Sequence, residues 1–149
     1  MSGGSFHQLR ILGLDIGSKR IGLAVSDELG FTAQGLETLT CTSPEEDLKR
    51  IVALVGDYAI QEIVVGMPYN MNGSEGPQAQ KIKKMMERIS SRVEVPVKEW
   101  DERLSTVAAE RILLEADMSR SKRRKVIDKV AAVIILQGYL DRQSFKDLP

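Results

Sequence analysis

Four carboxylates stand where this 149-residue sequence gives them no obvious structural task. Asp15 closes the apolar run from Leu9 to Asp15, whose Ile11, Leu12 and Leu14 read as a central strand buried on both faces. Ligands of open α/β sheets bind at the carboxyl ends of strands, which makes Asp15 a candidate ligand-binding group. It equally suits a cap on the turn at Gly17. Asp101 and Glu102 close a later strand, just before Ser105 and Thr106, where acids also favour a helix macrodipole. Asp128 lies three and four residues before Ala131 and Ala132, in a stretch that is apolar from Val130 to Leu136. Burial there demands a partner, either Arg124 or Lys125 on the same helix or a cation shared with the other acids. Three or four carboxylates without His or Cys make an all-oxygen donor set, which suits Mg²⁺ or Mn²⁺ rather than zinc. Two such ions clamping a phosphodiester is a known route to nucleic-acid hydrolysis.

The rest of the composition narrows the choice. The one histidine, His7, argues against a His-based zinc site, and the one cysteine, Cys41, cannot form an internal disulfide. A reducing, cytoplasmic setting is expected. With 28% charged and 42% apolar residues the chain reads as globular rather than disordered. Its length suits one domain. No apolar run approaches the ~20 residues of a membrane span, and no signal peptide is visible at the N-terminus. Net charge is zero but unevenly spread. Between Met118 and Val130 six basic residues (Arg120, Lys122, Arg123, Arg124, Lys125, Lys129) face a single acid, so this segment carries +5 and the remainder −5. A cationic segment on an acidic body suggests a polyanion-facing edge, the alternative being a solvated helix start.

The elements that must position these groups can be read in order. Leu9–Asp15, Arg20–Ser26 and Phe31–Leu39 read as three antiparallel strands joined by turns at Gly17-Ser18-Lys19 and Asp27-Glu28-Leu29-Gly30. Ser43-Pro44-Glu45-Glu46 combines an N-cap, a proline at the first helical position and a capping-box Glu, and Leu48, Ile51, Val52 and Val55 follow at helical spacing. Then come a short strand over Glu62–Gly66, a loop from Met67 to Gly73, a helix over Pro77–Arg92 and a fifth strand over Val95–Trp100. A helix over Leu104–Ala116, a basic linker and a last helix from about Lys122 to Arg142 complete the chain. The order predicts an α/β fold: a mixed five-stranded sheet with helices on both faces. It is expected to be a single domain over residues 1–149, with its core at about 9–142 and flexible tails at 1–8 and 143–149.

Four stretches carry a resemblance. Leu12-Gly-Leu-Asp-Ile-Gly-Ser-Lys-Arg-Ile-Gly-Leu-Ala-Val-Ser-Asp27 resembles the first motif of RNase H-like nucleases. Ile63-Val-Val-Gly-Met-Pro-Tyr-Asn-Met-Asn-Gly73, Trp100-Asp-Glu-Arg-Leu-Ser-Thr106 and Lys125-Val-Ile-Asp-Lys-Val-Ala-Ala132 are similar to the YqgF (RuvX) family. The motifs occur in the expected order and span nearly the whole chain. The resemblance implies an RNase H-like fold and a divalent-metal-dependent endonuclease (Mg²⁺ or Mn²⁺) of the bacterial cytoplasm. The expected task is 5′-end processing of pre-16S rRNA in ribosome biogenesis, the alternative being resolution of Holliday junctions. Carried over by motif, Asp15, Asp101, Glu102 and Asp128 are the catalytic, metal-holding positions, with the direct ligand of the Asp101-Glu102 pair left open. Where related resolvases place another acid, at the end of the fourth strand, this chain has Gly66-Met67-Pro68.

Lys19, Arg20, Asn70, Arg103, Arg120, Lys122, Arg123, Arg124 and Lys125 are the candidate nucleic-acid contacts. Turn charges and loop shaping are the plain alternatives for Lys19, Arg20 and Asn70. The partner is structured RNA in preference to branched DNA, no membrane is expected, and a homodimer is left open. Two other classes compete. Asp15-Ile16-Gly17-Ser18 also resembles the phosphate loop of actin-like ATPases, which need two such domains. A non-catalytic RNA-binding assembly factor would keep the fold without turnover.

Overall fold

A computed structural model describes residues 10–104 and 120–146, and in the last helix the side chains of 129–143. The chain runs β1 (Ile11–Ile16), β2 (Arg20–Ser26), β3 (Ala33–Gly35), β4 (Leu39–Thr40), α1 (Pro44–Asp57), β5 (Glu62–Met67), α2 (Pro77–Arg92), β6 (Val97–Asp101), a 3-10 turn over Glu102–Leu104 and α3 (Arg120–Lys146). The strands form one mixed sheet in the order β3-β2-β1-β5-β6, with β4 also on β2. β1, β2 and β3 are antiparallel, whereas β5 and β6 run parallel to β1. Parallel neighbours need crossovers, and α1 and α2 supply them.

The expected third strand over Phe31–Leu39 is divided. Gly35 lies opposite Ala24 and Leu39 opposite Ile21, so this strand advances four residues while β2 advances three. That one-residue excess is a β-bulge, and it makes the sheet six-stranded. Phe31 is outside the strand because its N–H donates to Asp27 Oδ1 at 2.7 Å. α1 begins as its capping sequence predicts, with Ser43 Oγ accepting from Glu46 N–H at 3.2 Å. The last helix is longer at both ends than the apolar stripe suggested. Arg120 and Ser121, expected in the linker, are helical, and 143–146 continue the helix. The helix expected over Leu104–Ala116 lies outside the described residues apart from Leu104, as do the expected tail 1–8 and residues 147–149.

Strand alternation divides the core in two. Leu12, Leu14, Ile21, Leu23, Ile63 and Val65 pack with Leu48 and Ile51 of α1 and Ile82 and Ile89 of α2. On the other face Ile11, Ala24, Val64 and Trp100 pack with Ala131, Ala132, Ile135, Leu136, Tyr139 and Leu140 of α3. Glycines let α3 sit this close. A Cβ on Gly13 would lie 2.8 Å from Leu136 Cβ, one on Gly66 2.4 Å from Ile135 Cδ1, and one on Gly35 2.6 Å from Lys129 Cε.

Candidate active site

α3 runs antiparallel to β1, and its contacts fix which end of the sheet each part covers. The Tyr139 hydroxyl hydrogen-bonds Glu62 at the start of β5. Leu136 covers Gly13 in the middle of β1, and Lys129 covers Gly35 at the end of β3. The N-terminal part of α3 therefore lies over the carboxyl ends of β1 and β5. Asp15 is at that end and alternates with Ile11 and Gly13, so it is on the α3 face. One register step beyond the Leu14–Val65 pair, Asp15 adjoins Gly66. Glu102 reaches the same spot from the 3-10 turn after β6: its carboxyl carbon is 3.5 Å from where a Cβ on Gly66 would stand. Asp15 and Glu102 thus both border Gly66, whose lack of a side chain lets Ile135 of α3 close down beside them. Both are half-buried. Position 128 lies one turn before Ala132, on the helical track of the residues that cover the sheet. Its side chain, like those of all residues 120–128, is outside the described residues.

Asp101 faces the other way. Trp100 packs under α3 and Val97 under the α1 and α2 layer, so Asp101 shares the latter face with Val97 and Glu99. Arg103 occupies it: Nε donates to Oδ1 and Oδ2 at 3.0 and 3.1 Å, Nη2 to Oδ2 at 2.6 Å, and the Arg103 N–H to Oδ1 at 3.0 Å. These hydrogen bonds from Arg103 hold the Asp101 carboxyl below its usual range against the opposing effect of burial. The sequence leaves the choice between the two adjacent acids open; the geometry places Glu102, not Asp101, beside Gly66 on the sheet face that holds Asp15.

Arg103 also donates to the Met71 carbonyl at 3.3 Å and lies 5.5 Å from the centre of the Tyr69 ring. Tyr69 donates in turn to Glu99. Arg103 therefore ties the loop after β5 to the end of β6, a bracing task beside its candidate nucleic-acid one. Asn70 is likewise engaged within the loop, donating from Nδ2 to Ser74 Oγ at 2.9 Å, and Gly73 takes the positive φ of 87° that the turn needs.

Lys19 is exposed in the β1–β2 turn. Arg20 starts β2 on the α3 face and lines a cavity of about 460 Å³ with Glu37, Thr38, Thr40 and Lys129. Lys129 was not among the expected contacts. Its stem lies on Gly35, so its position at the mouth of this cavity is set by packing, and the signal that could have found it is a lysine one residue after the acid of the fourth motif. Arg120, Lys122, Arg123, Arg124 and Lys125 all fall in the first turns of α3, with their side chains outside the described residues. Among the described residues no three acids, histidines or cysteines converge on one point. Asp15 and Glu102 each adjoin Gly66, and a third carboxylate would have to come from position 128.

A family model for RuvX, described as Holliday junction resolvase, matches residues 9–142. The chain belongs to the RuvX family. That family acts on nucleic acid and is a nuclease family. Relatives named as candidate pre-16S rRNA nucleases include one from Halothermothrix orenii, 57% identical over 136 residues that make up 91% of this chain and 97% of the relative. Another, from Desulforamulus reducens, is 53% identical over 133 residues, or 89% of this chain and 97% of the relative. In the solved structures, RuvC of Thermus thermophilus in complex with a Holliday junction substrate aligns with a TM-score of 0.58 at 13% identity, covering 91% of this chain and 97% of that one. The fowlpox virus Holliday junction resolvase gives 0.52 at 13% identity, covering 89% and 99%. At such identities the likeness speaks for the fold, the RNase H-like sheet, and not for the substrate.

Proposed function

We propose that this chain is a divalent-metal-dependent endonuclease of the cytoplasm, acting as a single domain to trim the 5′ end of the 16S rRNA precursor. The observation that carries the reading is the meeting of Asp15 and Glu102 over Gly66, at the sheet end toward which α3 brings position 128. A set of carboxylate oxygens with neither His nor Cys fits Mg²⁺ or Mn²⁺. Asp15, Glu102 and Asp128 are the residues that would hold such an ion. Bound there, it supplies Lewis-acid polarisation of the phosphoryl oxygens. The protein's own part is to orient the phosphodiester. Arg20 and Lys129 flank the neighbouring cavity and neutralise phosphate charge, and the cations at 120–125 extend that track along α3. Asp101 and Arg103 act from behind, holding the end of β6 so that Glu102 points at Gly66.

The RNA substrate rests on the names of relatives more than half identical to this chain. A second reading, cleavage of four-way DNA junctions, is favoured by the family description. Incubation of the purified chain with Mg²⁺ or Mn²⁺, a precursor-rRNA fragment and a four-way junction separates the two. Metal-dependent cleavage at the 5′ side of the RNA, abolished by EDTA, is the expected result. Cleavage of the junction alone selects the second reading, and binding without cleavage of either leaves a non-catalytic assembly factor.

A further inference from the structure

On the face of the sheet away from Asp15, between the start of α1 and one side of α2, lies a cleft of about 390 Å³, within the range of small-molecule sites. Its floor is apolar, with Ile21, Cys41 and Met85 backed by the α1 and α2 core. Its rim is cationic. Lys81, Lys84 and Arg88 stand three and four residues apart on α2, so they share one helix face. Among the described residues none of the three forms an ion pair within 4.0 Å.

Like charges at this spacing destabilise a helix, and a bound anion relieves them. The one acid in the lining is already spent: Asp47 is buried, accepting from Thr42 N–H at 3.0 Å and Arg50 at 2.7 Å. Glu45, beside it, is paired with Arg92. With Glu45, Glu46 and Asp47 in its first turn, α1 does not offer its N-terminus to an anion, so the charge must be received by α2. A bare phosphate would have no use for the apolar floor. A planar apolar group carrying a phosphate uses both parts.

We propose that this cleft is a second binding site, which takes one nucleotide: the base on the Ile21, Cys41 and Met85 floor, the phosphate on Lys81, Lys84 and Arg88. The nucleotide can belong to a single-stranded segment or be free, and the chemistry recognised is the same. The cleft opens on the α1 and α2 face, and its lining reaches Ile16, Gly17 and Ser18 directly after Asp15, so a strand held here continues around the end of β1 toward the carboxylates.

Cys41 reports occupancy directly, being the only cysteine of the chain. Its alkylation by iodoacetamide, followed by mass, is measured on the full chain with AMP, with a ten-nucleotide single-stranded RNA and with inorganic phosphate, without divalent metal. Protection of at least about fivefold by the RNA is expected, with loss of protection and about tenfold weaker RNA binding in Lys84→Ala/Arg88→Ala. Protection by AMP as well assigns a site for free nucleotides; protection by RNA alone assigns one for a strand. The Asp15→Asn variant keeps the protection, which separates this site from the carboxylates and its test from the nuclease reading. An alkylation rate unchanged by both nucleotide ligands, equal protection by phosphate alone, protection that persists in the double variant, or loss of protection in Asp15→Asn overturns the proposal.

Discussion

Asp101 and Glu102 are neighbours with the same chemistry, and the end of β6 turns them to opposite faces of the sheet. The clue was present in the sequence: Trp100 is apolar and must face a helix, which turns residue 101 to the other side. What could not be read is that Glu102 comes to stand beside Gly66 of the next strand, because that depends on the register between β5 and β6. Asp101, held by Arg103, has a pKa below its ordinary 3.8. A group whose folded pKa is depressed contributes its stability fully above the unfolded value and loses it as pH falls through the folded one. Asp101→Asn therefore lowers the melting temperature at neutral pH, and its gap from the parent narrows as the pH is taken down to about 2. Thermal unfolding followed by circular dichroism checks this; a gap that stays constant over the whole range contradicts it. Asp128, the acid whose position in an apolar stripe made it conspicuous, falls within α3, with its side chain outside the described residues.

Element boundaries followed the sequence wherever the signal was local. The cap at Ser43 and the prolines that open α1 and α2 act through their own backbone, and both helices begin as read. The bulge between β3 and β4 depends on how β2 is registered against it, so a run of plausible strand residues concealed a break. The depth at which α3 sits was equally hidden, being set by glycines on three different strands. Of these, Gly13 is the least able to accept a Cβ, since there it meets Leu136 Cβ, fixed to the helix backbone, and not a flexible tip. Gly13→Ala is expected to destabilise by about 1–3 kcal/mol in urea unfolding, as overpacking does; a loss under about 0.5 kcal/mol would show that α3 can shift. The end of α1 offers the opposite case. Gly56 is helical with nothing within 4 Å of a Cβ, whereas Ala59 adopts φ 50°. Gly56→Ala and Ala59→Gly should each stabilise, by up to about 1 kcal/mol, and a loss in either, measured the same way, contradicts the local conformations described.

In the molecule as a whole, charge and fold point the same way. The +5 segment begins α3, where the macrodipole disfavours cations, and α3 carries it to the sheet end that holds Asp15 and Glu102. No aromatic residue interleaves with these cations, so they are expected to grip backbone and not bases. Arg123→Ala/Arg124→Ala should weaken nucleic-acid binding about equally for all sequences and flatten its salt dependence by up to about two phosphate contacts; normal binding at every salt concentration contradicts that. The mixed sheet with its antiparallel start and the two helical layers were legible from one sequence, because each rests on periodicity or on a short motif, whereas the strand order was not. The central claim is that Asp15 and Glu102, meeting over Gly66, form the cutting site while Asp101 supports it from behind. Single-turnover cleavage of a precursor-rRNA fragment in Mn²⁺ by the parent, Asp15→Asn, Glu102→Gln and Asp101→Asn tests it most directly. The expected result is a loss of about 100-fold or more in Asp15→Asn and Glu102→Gln, with Asp101→Asn within about tenfold of the parent. Cleavage at the parent rate by Glu102→Gln, or a greater loss in Asp101→Asn than in Glu102→Gln, would contradict it.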